Sequence, residues 1–257
     1  MRTIRDFLIA FAAVALTMGS SSFAAAQTRI SVGVTETIET YNPYGDSVSL
    51  LYGIYSEITG PFCTYNYAKG DFEGRLAEKW KAENPTTWIF TLSKNYKFND
   101  GSTVTADDVV HSIMNRVIGD PQSKQKASVA PSITKAEVVD KFTVRILTDK
   151  PTAPLLSFLC DRLIVTSKAA FDKYGRDVAD KEHMMGGGPY RLKELIPGQR
   201  LVLQKRPDHP DAKKNPRAPD EVVYRIMREP EQRVTALLND EIQIAQFVLP
   251  HMRQRVE

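Results

Sequence analysis

At 257 residues, with 42% hydrophobic and 25% charged residues, the chain has a globular composition and enough apolar material for a real core. A formal net charge of +3 is too small to suggest nucleic acid or a membrane surface as partner. Two cysteines and four histidines, with no CxxC and no metal-type spacing, give no reason to expect a metal or cofactor.

Residues 1–26 read as a cleavable secretory signal. Arg2 and Arg5 open it, an apolar run from Phe7 to Leu16 follows, and Ala24-Ala25-Ala26 offers a small-residue cleavage site. The run is too short to span a bilayer, which needs about 20 apolar residues. A buried N-terminal helix is the bland alternative. No cysteine follows the run, so the expected mature protein is free in the periplasm, without a lipid anchor. That compartment favours oxidation, and Cys63 and Cys160 are then a possible disulfide, with two buried free thiols as the other reading.

In chain order, Ile30, Val32 and Val34 alternate with polar residues as a first strand. Thr40 to Asp46 is a loop of turn formers and aromatics. A helix over 47–59 carries Leu51, Tyr52, Tyr55 and Ile58 on one side and ends at Gly60-Pro61. Leu76 to Trp80 and Trp88 to Leu92 read as a strand pair, and Asn99-Asp100-Gly101 as a turn. Thr105 stands three residues before Asp108, a capping-box spacing. Behind it Val109, Val110, Ile113, Met114 and Val117 form one helix face up to Gly119. Residues 122–132 look loop-like, and 133–139 with 142–147 read as a hairpin. Next come a short helix in 151–159, a brief buried strand at Leu163-Ile164-Val165, and a helix from an Ser167 cap to Tyr174. Strands at 191–195 and 200–203 flank a type II turn at Pro197-Gly198, and a charged loop covers 207–220. A strand at 222–227, a helix opened by Pro230 and a strand at 242–247 complete the chain.

Four motifs in order carry a resemblance: Leu76-Ala77-x-x-Trp80, the strand after it, Lys97-Phe98-x-Asp100-Gly101, and Thr105-Ala106-x-Asp108-Val109-Val110. Gly186-x-Gly188-Pro189-Tyr190, Pro197-Gly198-Gln199-Arg200 and Leu237-Leu238-x-x-Glu241-Ile242-x-Ile244-Ala245 add to it. Together they resemble the family 5 solute-binding proteins of ABC importers, which take up peptides, nickel and related solutes. The sequence departs from that pattern at Asn95 and Asp240, where the family usually has Gly, at Gln243, and at His209-Pro210.

The resemblance implies an α/β periplasmic-binding-protein-like lobe with mixed sheets, its second lobe largely missing. On this reading residues 27–250 are the first lobe and 251–257 a truncated start of the crossing to the second. It implies capture of a small peptide or peptide-like solute by a monomer, and delivery to ABC permease subunits at the inner membrane. Tyr41, Asn42, Tyr44, Gly187, Gly188 and Tyr190 are the expected ligand-bordering residues. A secreted α/β enzyme such as a hydrolase, or a nonfunctional fragment, is the alternative.

Other chemistry is weaker. His183-Met184-Met185 is a soft-ligand cluster without distant partners. Gly186 to Gly188 suggest a phosphate cradle, but no Gly-Lys-Ser/Thr follows, and close backbone packing explains them better. Asp107-Asp108 fit the first turn of a helix better than a catalytic pair, and G-x-S-x-G and H-E-x-x-H are both missing. Tyr65 and Tyr67, with Tyr41 and Tyr44, could line a ligand site or pack in the core.

Overall fold

A computed structural model describes residues 28–36, 43–45, 49–176 and 186–256. The signal segment, Tyr41, Asn42 and His183-Met184-Met185 lie outside the described residues. The chain starts one sheet, leaves it to build a second, and returns to finish the first.

Strand β1 (Arg29–Val34) leads by way of α1 (Ser49–Thr59) to a hairpin of β2 (Cys63–Asn66) and β3 (Asp71–Gly74). The second sheet follows: β4 (Ala77–Asn84), β5 (Thr87–Leu92), β6 (Ile133–Asp140) and β7 (Thr143–Thr148), all antiparallel, in the order β4-β5-β7-β6. Phe90 and Leu92 of β5 are buried and Thr91 is exposed, as alternation requires of a half-buried strand.

Between β5 and β6 runs helix α2 (Ala106–His111), continued as a π-helix over Ser112–Ile118. The Asp108 carboxylate closes its start by accepting from the Thr105 N–H at 2.9 Å and hydroxyl at 2.8 Å. The sequence period predicts one regular α-helix here. The widened turns coincide with Ser112, whose hydroxyl accepts the Thr166 N–H at 3.1 Å. A further turn, α3 (Lys126–Val129), lies in the stretch expected to be loop.

Helices α4 (Leu155–Arg162) and α5 (Lys168–Tyr174) bracket Leu163-Ile164-Val165. These three residues are buried but form no strand; only Thr166 makes an isolated bridge, to Gly186. An apolar run this short marks burial without fixing a ladder partner.

The chain returns through β8 (Tyr190–Ile196) and β9 (Arg200–Lys205), joined by a turn with Gly198 at φ 68°. A short helix α6 (Pro210–Lys214) lies inside the expected loop, capped by His209, whose Nδ1 accepts the Asp211 N–H. Then come β10 (Glu221–Ile226), α7 (Pro230–Leu238) and β11, which is only Ile244–Ala245. The longer last strand expected over 242–247 is cut short. Ile242 turns into a small core with Met227 and Ala236, and Phe247 has φ 51°. A 3-10 turn over Pro250–Arg255 follows.

The first sheet has the order β11-β1-β10-β9-β8. β10 and β11 both run parallel to β1, whereas β9 is antiparallel to β10 and to β8. The fold is therefore α/β with mixed sheets. One apolar cluster reaches from Phe90 and Val144 of the second sheet to Leu201 and Leu203 of the first, so the two sheets share a core.

Candidate functional site

The three parallel strands end together, and open α/β sheets present their ligand sites outside the carboxyl ends of such strands. Here that end is built from Thr35 and Glu36 after β1, Met227 after β10, and Gln246 and Phe247 after β11. The Met227 N–H donates to Val34 O at 2.8 Å, and the Gln246 N–H to Gly33 O at 2.9 Å. The Gln246 side-chain oxygen accepts the Thr35 N–H at 3.1 Å, and the Thr35 hydroxyl donates to Glu36 at 2.8 Å.

Arg233 of α7 ties this end together. Its guanidinium, 2% exposed, donates to Met227 O (2.6 Å), Arg228 O (2.8 Å), Gln246 O (2.8 Å) and Phe247 O (3.2 Å). A planar fork of five donors suits such a task, and burial lowers the group's pKa. Beyond the clip, Ile244, Phe247 and Leu249 are exposed.

The loop from the end of β1 carries Tyr41, Asn42 and Tyr44. Tyr44 is 1% exposed. Its hydroxyl donates to Ile164 O at 3.1 Å and lies 3.0 Å from Thr166 Oγ1, while the Arg116 guanidinium covers its ring at 4.2 Å. Thr166 bridges to Gly186, so Tyr44 and the glycine run are brought together.

The glycines lie on the last turn of α1. Gly187 and Gly188 donate their N–H groups to Thr59 O (3.0 Å) and Ile58 O (2.9 Å), so these two donors are already used by the helix end. A Cβ at Gly186 would collide with Ile58 O, and one at Gly188 with Glu57 O. Buried Arg206 and His209 hold the run from the other side. Arg206 donates to Gly188 O at 3.0 Å and Lys97 O at 3.0 Å, and His209 Nε2 lies 2.8 Å from Gly187 O. Sequence reasoning missed Arg206, His209 and Arg233 as main-chain anchors, because a buried side chain serving main-chain carbonyls leaves no periodic signal.

Tyr190 lies toward the other end of the sheet from Val34. It pairs with Lys205, which lies level with the amino end of β1 through Gln204, Glu221 and Arg29. Its hydroxyl donates to Pro219 O at 2.7 Å, and burial with the nearby Glu57 charge pushes its pKa up to about 12. Tyr190 lines a cavity of about 430 Å³ with Glu57, Arg75 and Asp211. Asp211 accepts from Arg75 at 2.7 Å and from the Tyr96 hydroxyl at 2.7 Å. Tyr67 is 90% exposed at its hairpin, in edge contact with Tyr65.

Cys63 on β2 and Cys160 on α4 are joined as a disulfide, with Cα atoms 4.2 Å apart. No group of His, Cys, Asp or Glu that could hold a metal occurs among the described residues. None of their helices is long and apolar enough to cross a membrane.

A mixed sheet with a parallel trio and a second inserted sheet define one lobe of a solute-binding protein. The model of the bacterial extracellular solute-binding proteins, family 5 (Middle), matches residues 71–257, and the chain belongs to that family. It is 34% identical over 180 residues to the probable D,D-dipeptide-binding periplasmic protein DdpA of Escherichia coli K12, covering 68% of this chain and 34% of that protein. The solved E. coli murein tripeptide binding protein MppA superposes with a TM-score of 0.78 at 21% identity, over 90% of this chain and 48% of that one. A. tumefaciens MoaA, solved with mannopinic acid, gives a TM-score of 0.73 at 27% identity, over 86% of this chain and 45% of that one. The chain thus spans about a third of this curated relative's length and about half of the solved chains.

Proposed function

We propose that the protein is a periplasmic solute-binding component of an ABC importer. It captures a peptide or peptide-like solute without converting it and delivers it to permease subunits. The observation that carries this reading is the rim at the carboxyl ends of β1, β10 and β11, fixed by Arg233, with Phe247 exposed beside it. Several relatives are named for peptides: a D,D-dipeptide for DdpA, a murein peptide for MppA and an oligopeptide for OppA of Salmonella typhimurium. A peptide's main chain would be held by hydrogen bonds to strand ends of this kind, which makes side-chain selectivity loose.

On this reading the chain enters the periplasm behind residues 1–26 and acts as a monomer without a lipid anchor. The loop from Tyr41 to Tyr44 borders the cleft, with buried Tyr44 holding it in place, and Gly187, Gly188 and Tyr190 brace the lobe behind it. The exposed Ile244, Phe247 and Leu249 are where a second lobe would pack, consistent with a chain that is half of such a protein.

Native mass spectrometry of the protein purified from its own periplasm without denaturation tests the reading. One small peptide-like molecule retained per chain and unchanged on incubation is expected. Conversion of the bound molecule, or no retained molecule and no uptake from a peptide mixture, would overturn it.

A further inference from the structure

We propose that His209 is a proton-operated latch. Its neutral ring joins α6 to the glycine run, and one added proton frees the start of α6 while the Asp211 carboxylate turns from Tyr96 to the imidazolium.

The tautomer follows from the partners. A main-chain N–H can only donate, and a carbonyl can only accept. Nδ1 takes the Asp211 N–H at 3.2 Å, so it carries a lone pair; Nε2, 2.8 Å from Gly187 O, carries the hydrogen. The ring is 2% exposed, with Tyr96 edge-on at 5.0 Å. An imidazolium has a donor at each nitrogen. A proton on Nδ1 therefore removes the cap of α6 and sets a donor against the Asp211 N–H, while the bond to Gly187 survives.

The replacement partner is already near. Asp211 Oδ2 lies 4.0 Å from Nδ1 while it accepts the Tyr96 hydroxyl at 2.7 Å, and Oδ1 holds Arg75 at 2.7 Å with Lys214 at 3.7 Å. α6 is a five-residue turn, and so short an element opens locally at little cost once its cap is lost. A cavity of about 260 Å³ borders His209 and brings water to the ring; Lys97, Arg206, Asp208 and Lys213 are its other charged lining groups. Burial holds the ring's pKa below that of an ordinary histidine and Arg206 adds to this, whereas the Gly187 bond, Asp211 and Asp208 oppose it. The latch is thus closed at neutral pH and opens below about pH 6.5, the ordinary histidine value.

The latch does not depend on peptide capture at the rim. Its test is hydrogen-exchange mass spectrometry of the whole natural gene product from pH 8 to 4, with ring nitrogen resonances read from isotope-labelled histidine. The His209 resonances are those missing in His209→Asn. At pH 7.5 they should show Nδ1 unprotonated and Nε2 protonated. As the ring titrates, protection of the segment spanning α6 should fall at least tenfold after correction for intrinsic exchange, while that of β5 stays within twofold. His209→Asn, a helix cap that does not titrate, should lack this step. Tyr96→Phe, which takes one partner from Asp211, should move the step to higher pH. A protonated Nδ1 at pH 7.5, titration only with global unfolding, no fall in protection, the same fall in His209→Asn, or a step that Tyr96→Phe leaves in place would overturn the proposal.

Discussion

Arg233 is the residue on which the rim depends most. Removing its guanidinium leaves four carbonyls to find other partners, and a buried group without one costs about 1–3 kcal/mol. Arg233→Ala should therefore lower the unfolding free energy by about 3 kcal/mol or more in urea titration. Arg233→Lys should recover only part of it, because an ammonium cannot fork to four oxygens. The glycines give a sharper contrast. Gly188→Ala drives a methyl into Glu57 O and should cost about 2–4 kcal/mol, the scale of a severe packing clash. Gly53→Ala, inside α1 with nothing near its Cβ position, should stabilise by about 0.5–1 kcal/mol through helix propensity.

His111 supplies the pH dependence at this scale. It is buried against Phe171, its Nε2 makes no hydrogen bond, and burial with the nearby Arg116 charge lowers its pKa to about 4. The unfolded chain, with an ordinary histidine, then binds the extra proton between about pH 6.5 and 4. Stability should fall as pH drops through that window, by roughly 2–3 kcal/mol at most. Glu57 and Asp108 have raised pKa values and oppose this trend, since the folded state protonates first and gains as pH falls. Comparing parent and His111→Gln unfolding curves from pH 7 to 4 isolates the histidine, and the variant should lack its share of the acid loss.

Among the elements, the hairpin of β2 and β3 is the one that most needs a tether. Cys63 and Cys160 are 97 residues apart in sequence, so a bridge between them closes a long loop. Loops of this size give about 2–5 kcal/mol on removing a native disulfide. Cys63→Ser with Cys160→Ser should lose that amount, and the intact mass of the parent after alkylation should rise only when it is first reduced. The same scale shows what the sequence could reveal. β5 and the α2 start were legible because alternation and the Thr105/Asp108 spacing are local rules. Asp240 was legible too: a Gly-like position in sequence, it has φ 57°. Asn95, at a similar departure, is not among the described residues with positive φ. α6 was hidden because His209 caps it through a ring nitrogen, an unusual choice, and 163–165 was misread because burial alone does not specify a ladder. At the candidate site, the glycine run was legible as close packing. The carboxyl-end rim was not, since it exists only once β10 and β11 settle on either side of β1.

For the whole molecule, the family is clear from 187 matched positions, counted from residue 71 to 257, and the lobe is shared with proteins twice its length. Three of its exposed apolar residues, Ile244, Phe247 and Leu249, lie at or just after β11, and the proposed activity concerns that end of the sheet. The most direct test is calorimetric titration of the whole natural gene product with short peptides, in parent and in Arg233→Lys, which should fold but loosen the rim. The account predicts saturable one-to-one binding by the parent, weakened about tenfold or more in the variant. Binding of equal strength in both, or no peptide binding by the parent, would contradict it.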